Sequence, residues 1–61
     1  MIKNKFRIIV TENIEYTMTR EEKDNVTLET FLKRIYSQPW LQVKENVAVQ
    51  VSQIKIVEKL K

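Results

Sequence analysis

The chain has 61 residues, a net charge of +3, and no cysteine, histidine or glycine. Without cysteine no disulfide can form, and with histidine also missing there is no thiolate or imidazole set for zinc, haem or an iron–sulfur centre. Without glycine there is no P-loop, dinucleotide fingerprint or nucleophile elbow, because each brings backbone closer to its ligand than a Cβ permits.

From Ile2, the apolar residues Ile2, Phe6, Ile8 and Val10 alternate with Lys3, Lys5, Arg7 and Thr11, the period of a strand with one buried face. Asn4 and Ile9 break the pattern, one on each face. Ile14, Tyr16 and Met18 resume it against Glu15, Thr17 and Thr19, so the two segments read as a hairpin. For even positions to face even ones, the loop must hold an odd number of residues. A loop of residues 12–14 pairs Val10 with Tyr16 and Ile8 with Met18, and Asn13 suits the left-handed conformation that glycine would otherwise supply. Residues 19–25 form a polar connection in which Thr19 and Glu22 have capping-box spacing, enough for one helical turn.

Residues 26–39 specify a helix. Leu28, Phe31, Leu32, Ile35 and Tyr36 fall on one stripe at helical spacing. Thr27 is placed as N-cap, and Val26 and Phe31 have the spacing of a hydrophobic staple. Glu29 near the start and Lys33 and Arg34 near the end complement the helix dipole, and Pro39 ends the helix by forcing Gln38 out of helical geometry. One apolar stripe on so short a helix must lie on something, and the rest of the chain offers a sheet.

Beyond Pro39, with Trp40 at the entry, Leu41 and Val43 alternate with Gln42 and Lys44; after Glu45-Asn46, Val47, Val49 and Val51 alternate with Ala48, Gln50 and Ser52. That is a second hairpin. Its turn shares with the first the pattern V-x-E-N-[IV]-x-[YV], read either as an internal repeat or as two polar turns that happen to use Glu-Asn; both give the same elements. In the tail the apolar phase shifts from odd to even at Ile54 and Ile56, so a bulge or tight turn belongs near Ser52-Gln53. Residues 54–58 read as a further strand on their β-branched content, with a helix through Ile54, Val57 and Leu60 as the alternative.

These elements make one α+β domain over residues 1–61: an antiparallel sheet of four to five strands in ββαββ order, with an additional C-terminal strand allowed and one helix packed on one face. The expected core is Phe6, Ile8, Val10, Tyr16, Met18, Leu28, Phe31, Leu32, Ile35, Leu41, Val43, Val47, Val49 and Val51. A core this small is near the limit of self-sufficiency. With no disulfide or metal in reserve, a homo-oligomer is expected, a two-fold dimer by default. The apolar residues left over, Ile9, Ile54, Ile56, Val57 and Leu60, are the candidates for its interface.

For function, nucleophilic catalysis lacks its imidazole or thiol, and the carboxylates fall mostly in polar connections rather than in a cleft that would separate their pKa values. The expectation is a non-enzymatic binding protein without a cofactor. In size and composition the chain resembles the small proteins of phages and mobile elements, a likeness that carries no residue-level role. Its richness in Lys, Ile, Asn and Glu matches translation from an AT-rich genome such as that of a Gram-positive bacterium or its phage. The corresponding role is to inhibit or sequester a host protein or a small anionic, nucleotide-type signal, the latter in a pocket formed between chains. The alternative is a nucleic-acid-binding accessory protein: Lys3, Lys5 and Arg7 form a basic ladder, joined by Lys55, Lys59 and Lys61 if the terminal strands are neighbours. No aromatic shares the face of these cations to stack on a base, since Phe6 falls on the opposite face of the strand. Tyr36 and Trp40, either side of Pro39, are the remaining candidate binding residues, with sealing the end of the core as their structural alternative. No apolar run is long enough for a membrane span or a signal-peptide core, so a cytoplasmic protein made at its final length is expected.

Overall fold

The computed structural model describes all 61 residues. Strands β1 (Ile2–Val10) and β2 (Ile14–Glu22) form an antiparallel hairpin; α1 (Leu28–Ile35) follows; β3 (Trp40–Lys44) and β4 (Val47–Gln50) form a second hairpin; and β5 (Ile54–Leu60) returns to pair antiparallel with β1. The domain is therefore α+β, and the tail is a strand two residues longer than expected, not a helix.

The strands divide into two sheets, β2-β1-β5 and β3-β4, where alternation suggested one. Covering area explains the division. A strand of nine residues is about 30 Å long, and three such strands are about 14 Å across. An eight-residue helix is only about 12 Å long and about 10 Å wide. α1 alone would leave much of the inner face bare, so the second hairpin folds across the remainder instead of extending the sheet sideways.

The core joins all three layers. Phe6, Ile8, Val10 and Met18 come from the three-stranded sheet, Phe31 and Ile35 from α1, and Leu41, Val43 and Val49 from the second hairpin, closed by Val26 and Val51. Phe6 and Phe31 stack with ring centroids 3.8 Å apart and planes 7° from parallel, joining β1 to α1 at the centre of the core. Tyr16, Leu32 and Val47, expected inside, are half-buried at the rim, and Leu28 is half-buried outside the core cluster. Ile54 and Val57, expected to be left over for an interface, pack against the core instead, because the pairing of β5 with β1 slips beside Val10. Lys55 takes up the extra position, and the faces of the strand are reset.

Local chemistry sets the helix as its sequence requires. The Thr27 hydroxyl accepts from the Thr30 N–H at 3.2 Å, and the staple residues Val26 and Phe31 are both buried. Glu29 and Lys33 pair at 3.6 Å, and the Arg34 guanidinium reaches both carboxylate oxygens of Glu22, at 2.8 and 2.9 Å, tying the helix end to β2. Thr19 and Glu22 lie within that strand, so no helical turn forms there.

The turns depart from expectation in two ways. The first loop is Thr11–Asn13, still three residues, but it pairs Val10 with Ile14 and Ile8 with Tyr16. Parity is kept and the register moves by two. Both Glu12 (φ 72°) and Asn13 (φ 60°) are left-handed, whereas neither Glu45 nor Asn46 is. The shared Glu-Asn is thus not a repeated turn: the second loop has only two residues, and its ladder slips between Gln42 and Lys44.

Asn4, the polar break in the β1 pattern, is 1% exposed. Its Oδ1 accepts from the Val26 N–H at 3.0 Å, and its Nδ2 donates to the Asp24 carbonyl at 3.4 Å and the Ile2 carbonyl at 3.5 Å. The side chain replaces water where the otherwise exposed connection buries Val26 without a strand partner.

Candidate functional site

The outer face of the three-stranded sheet carries the predicted basic ladder. Lys3, Lys5 and Arg7 all lie on it, but acidic residues are interleaved with them: Lys3 stands opposite Glu21, and Arg7 opposite Glu58. Arg7 is held from both sides. Its Nε is 2.6 Å from Glu15 Oε1, a charge contact without the alignment of a hydrogen bond, and its Nη1 is 3.8 Å from Glu58 Oε2. Three cations thus share the face with three carboxylates, which leaves little net potential to neutralise phosphates.

The terminal strands are neighbours, the condition set for a merged basic patch, yet the remaining lysines do not converge. Lys59 turns inward, donating to Asn25 Oδ1 at 2.7 Å and to the Val26 carbonyl at 2.5 Å. Lys55 lies at the far end of β5, where it donates to Asn13 Oδ1 at 3.4 Å. Lys5 is opposite Leu60 while Ile54 is opposite Val10, which puts Lys55 on the order of 15 Å along the strand from Lys5. Lys61 follows Leu60 beyond the end of β5, where strand alternation sets it in step with buried Asn4 and not with Lys3 and Lys5.

The aromatic pair is different. Tyr36 ends α1 and Trp40 begins β3, with Ser37, Gln38 and Pro39 between them. The turn is tightly made: Ser37 Oγ donates to the Arg34 carbonyl at 2.6 Å, the Gln38 N–H to the Ile35 carbonyl at 3.3 Å, and the Val51 N–H to the Pro39 carbonyl at 2.9 Å. Tyr36 is 57% and Trp40 56% exposed. They do not seal the core. Leu41 and Val43 point inward, so Trp40 points outward by strand alternation, and Gln42, Ala48 and Gln50, exposed like it, share its face. The result is two exposed aromatics on a braced turn, with uncharged side chains beside Trp40. The phase of Trp40 against Leu41 was the available signal for its exposure. For Tyr36 there was none: it keeps helical backbone geometry and donates to the Leu32 carbonyl at 3.0 Å, but its row, with half-buried Leu28 and Leu32, runs along the edge of a stripe centred on Phe31 and Ile35.

No pocket opens in the surface, and no group of three or more acidic residues stands close enough to hold a metal ion. No helix is long and apolar enough to cross a membrane. Compared with protein-family models, with curated proteins and with solved structures, the chain matches none.

Proposed function

We propose that the chain is a non-enzymatic binding protein that holds a protein target through the Tyr36–Trp40 surface, thereby inhibiting or sequestering it. The observation that supports this reading is the exposure of both large amphipathic aromatics on one braced turn, while Phe6 and Phe31 are buried. Tyrosine and tryptophan on a rigid support are the residues that most often dominate a protein interface, because they bury much area at small entropic cost. The glutamine and alanine neighbours add surface that can be dried without stranding a charge. A protein target is favoured over a small anionic signal, since a single chain offers no pocket for one. It is favoured over nucleic acid because glutamates interrupt the basic ladder.

The test is capture by the immobilised chain from a lysate of an AT-rich Gram-positive bacterium, with mass spectrometry of retained proteins and small molecules. A retained protein should be lost when Tyr36→Ser and Trp40→Ser are combined, and kept when Lys3, Lys5 and Arg7 are all changed to Gln. A partner that survives the aromatic change and follows the basic one, or retention of a small molecule alone, would overturn the reading.

A further inference from the structure

β5 pairs with β1 on one side only and is the outer strand of its sheet. Apart from that ladder, the backbone of residues 55–60 has no backbone partner in the chain. Edge strands of monomeric proteins are commonly protected by solvated lysines, by proline, or by a covering element. Here each charged side chain of β5 is drawn back onto its own chain: Lys55 to Asn13, Glu58 to Arg7, and Lys59 to Asn25 and the Val26 carbonyl. The strand contains no proline. Ile56, 47% exposed, sits at its centre on the outer face opposite Ile9.

We propose that this edge pairs with the β5 edge of a second copy of the chain, antiparallel about a two-fold axis at Ile56, making one six-stranded sheet across the dimer. Charge selects the register. A two-fold axis at Lys55, Glu58 or Lys59 sets a charge against itself, and one at Val57 sets Lys55 against Lys59. Centred on Ile56, Lys55 faces Val57 and Glu58 faces Ile54, with no like charges opposed. The same register brings Ile9 and Ile56 beside Ile9 of the partner subunit and Ile56 of the partner subunit. An apolar strip then runs across the outer face, of which each chain alone carries one half, Ile9 beside Ile56. The interface is self-complementary, as a two-fold contact must be, and the strand pairing uses neither Tyr36 nor Trp40, so its test is separate from that of the target-binding reading.

Directly opposed residues of an antiparallel pair have Cα atoms about 4.5–5.5 Å apart, within the range a disulfide spans. Ile56→Cys would be the only cysteine in the chain. Mild oxidation at tens of micromolar should convert it mainly to a cross-linked dimer, while Glu58→Cys, and Thr19→Cys on the other sheet edge, remain single chains. Light scattering of the unmodified chain should return twice its 7.4 kDa mass, falling to the single-chain value for Ile56→Lys with far-ultraviolet circular dichroism unchanged. Trp40→Ser should leave the mass at the dimer value. A single-chain mass for the unmodified protein, equal cross-linking at Thr19→Cys, or a dimer that survives Ile56→Lys would overturn the proposal.

Discussion

Asn4 offers the sharpest stability test, because its side chain is the acceptor for a buried backbone N–H of the connection, that of Val26. Asn4→Ala removes the acceptor for the Val26 N–H, and Val26 is 5% exposed, so that donor is stranded away from water. A buried unsatisfied backbone group costs about 1–3 kcal/mol. The Asp24 carbonyl also loses its donor, but Asp24 is exposed and water replaces the bond at little cost. The expected loss is therefore about 2–3 kcal/mol, most of what a core of this size supplies, roughly 3–5 kcal/mol. With a urea slope of about 1 kcal/mol per molar, the midpoint should fall by about 2–3 M. Lys3→Ala, beside it on the exposed face, should cost within about 0.5 kcal/mol. In the parent the Val26 amide should be among the slowest to exchange with solvent; in Asn4→Ala it should exchange quickly. An Asn4→Ala midpoint indistinguishable from that of Lys3→Ala would refute the assigned role.

Phe31→Ala removes the ring stacked on Phe6 and should cost about 3–5 kcal/mol, against about 1–2 kcal/mol for half-buried Leu32→Ala and within about 0.5 kcal/mol for Lys33→Ala; urea melts that reversed this order would mean the wrong helix face is buried. Glu12→Gly should raise stability by about 0.5–1 kcal/mol, since a left-handed non-glycine residue costs about 1–2 kcal/mol and glycine returns part of that gain through chain entropy. A Glu12→Gly chain that melts earlier than the parent would show that the Glu12 side chain supports the turn. No mobility shift of duplex DNA or RNA is expected at low salt, and a shifted complex that weakens when Lys3 and Lys5 become Gln would restore a phosphate-binding role.

Local elements were legible because local chemistry determines them. The cap at Thr27, the staple of Val26 and Phe31 and the stop at Pro39 each act within a few residues, and the helix forms where they place it. The alternation of β1 and β2 likewise named the buried faces. Pairing was less legible. Periodicity reports which side of a strand is dry but not which edge it meets, so the division into two sheets had to come from the area the helix can cover. The first loop shows the same limit. Parity required an odd number of residues, and both three-residue placements satisfy it; the choice turned on Glu12 accepting a left-handed conformation that its residue type disfavours. Asn4 looked like a defect in an apolar row because its partners, Asp24 and Val26, lie twenty or more positions away. The basic ladder was legible as a row of cations, but its neutralisation by Glu15, Glu21 and Glu58 depends on strand order.

The Tyr36–Trp40 surface can be read directly, because Trp40 is the only tryptophan in the chain and is 56% exposed. Its fluorescence, followed with acrylamide quenching, should show water-like emission and ready quenching in the free chain, unchanged on dilution through the range where the proposed dimer would dissociate. On titration with the purified captured protein, the emission should move to shorter wavelength and quenching should fall sharply. Emission and quenching that stay unaltered at saturating partner would place the binding surface elsewhere.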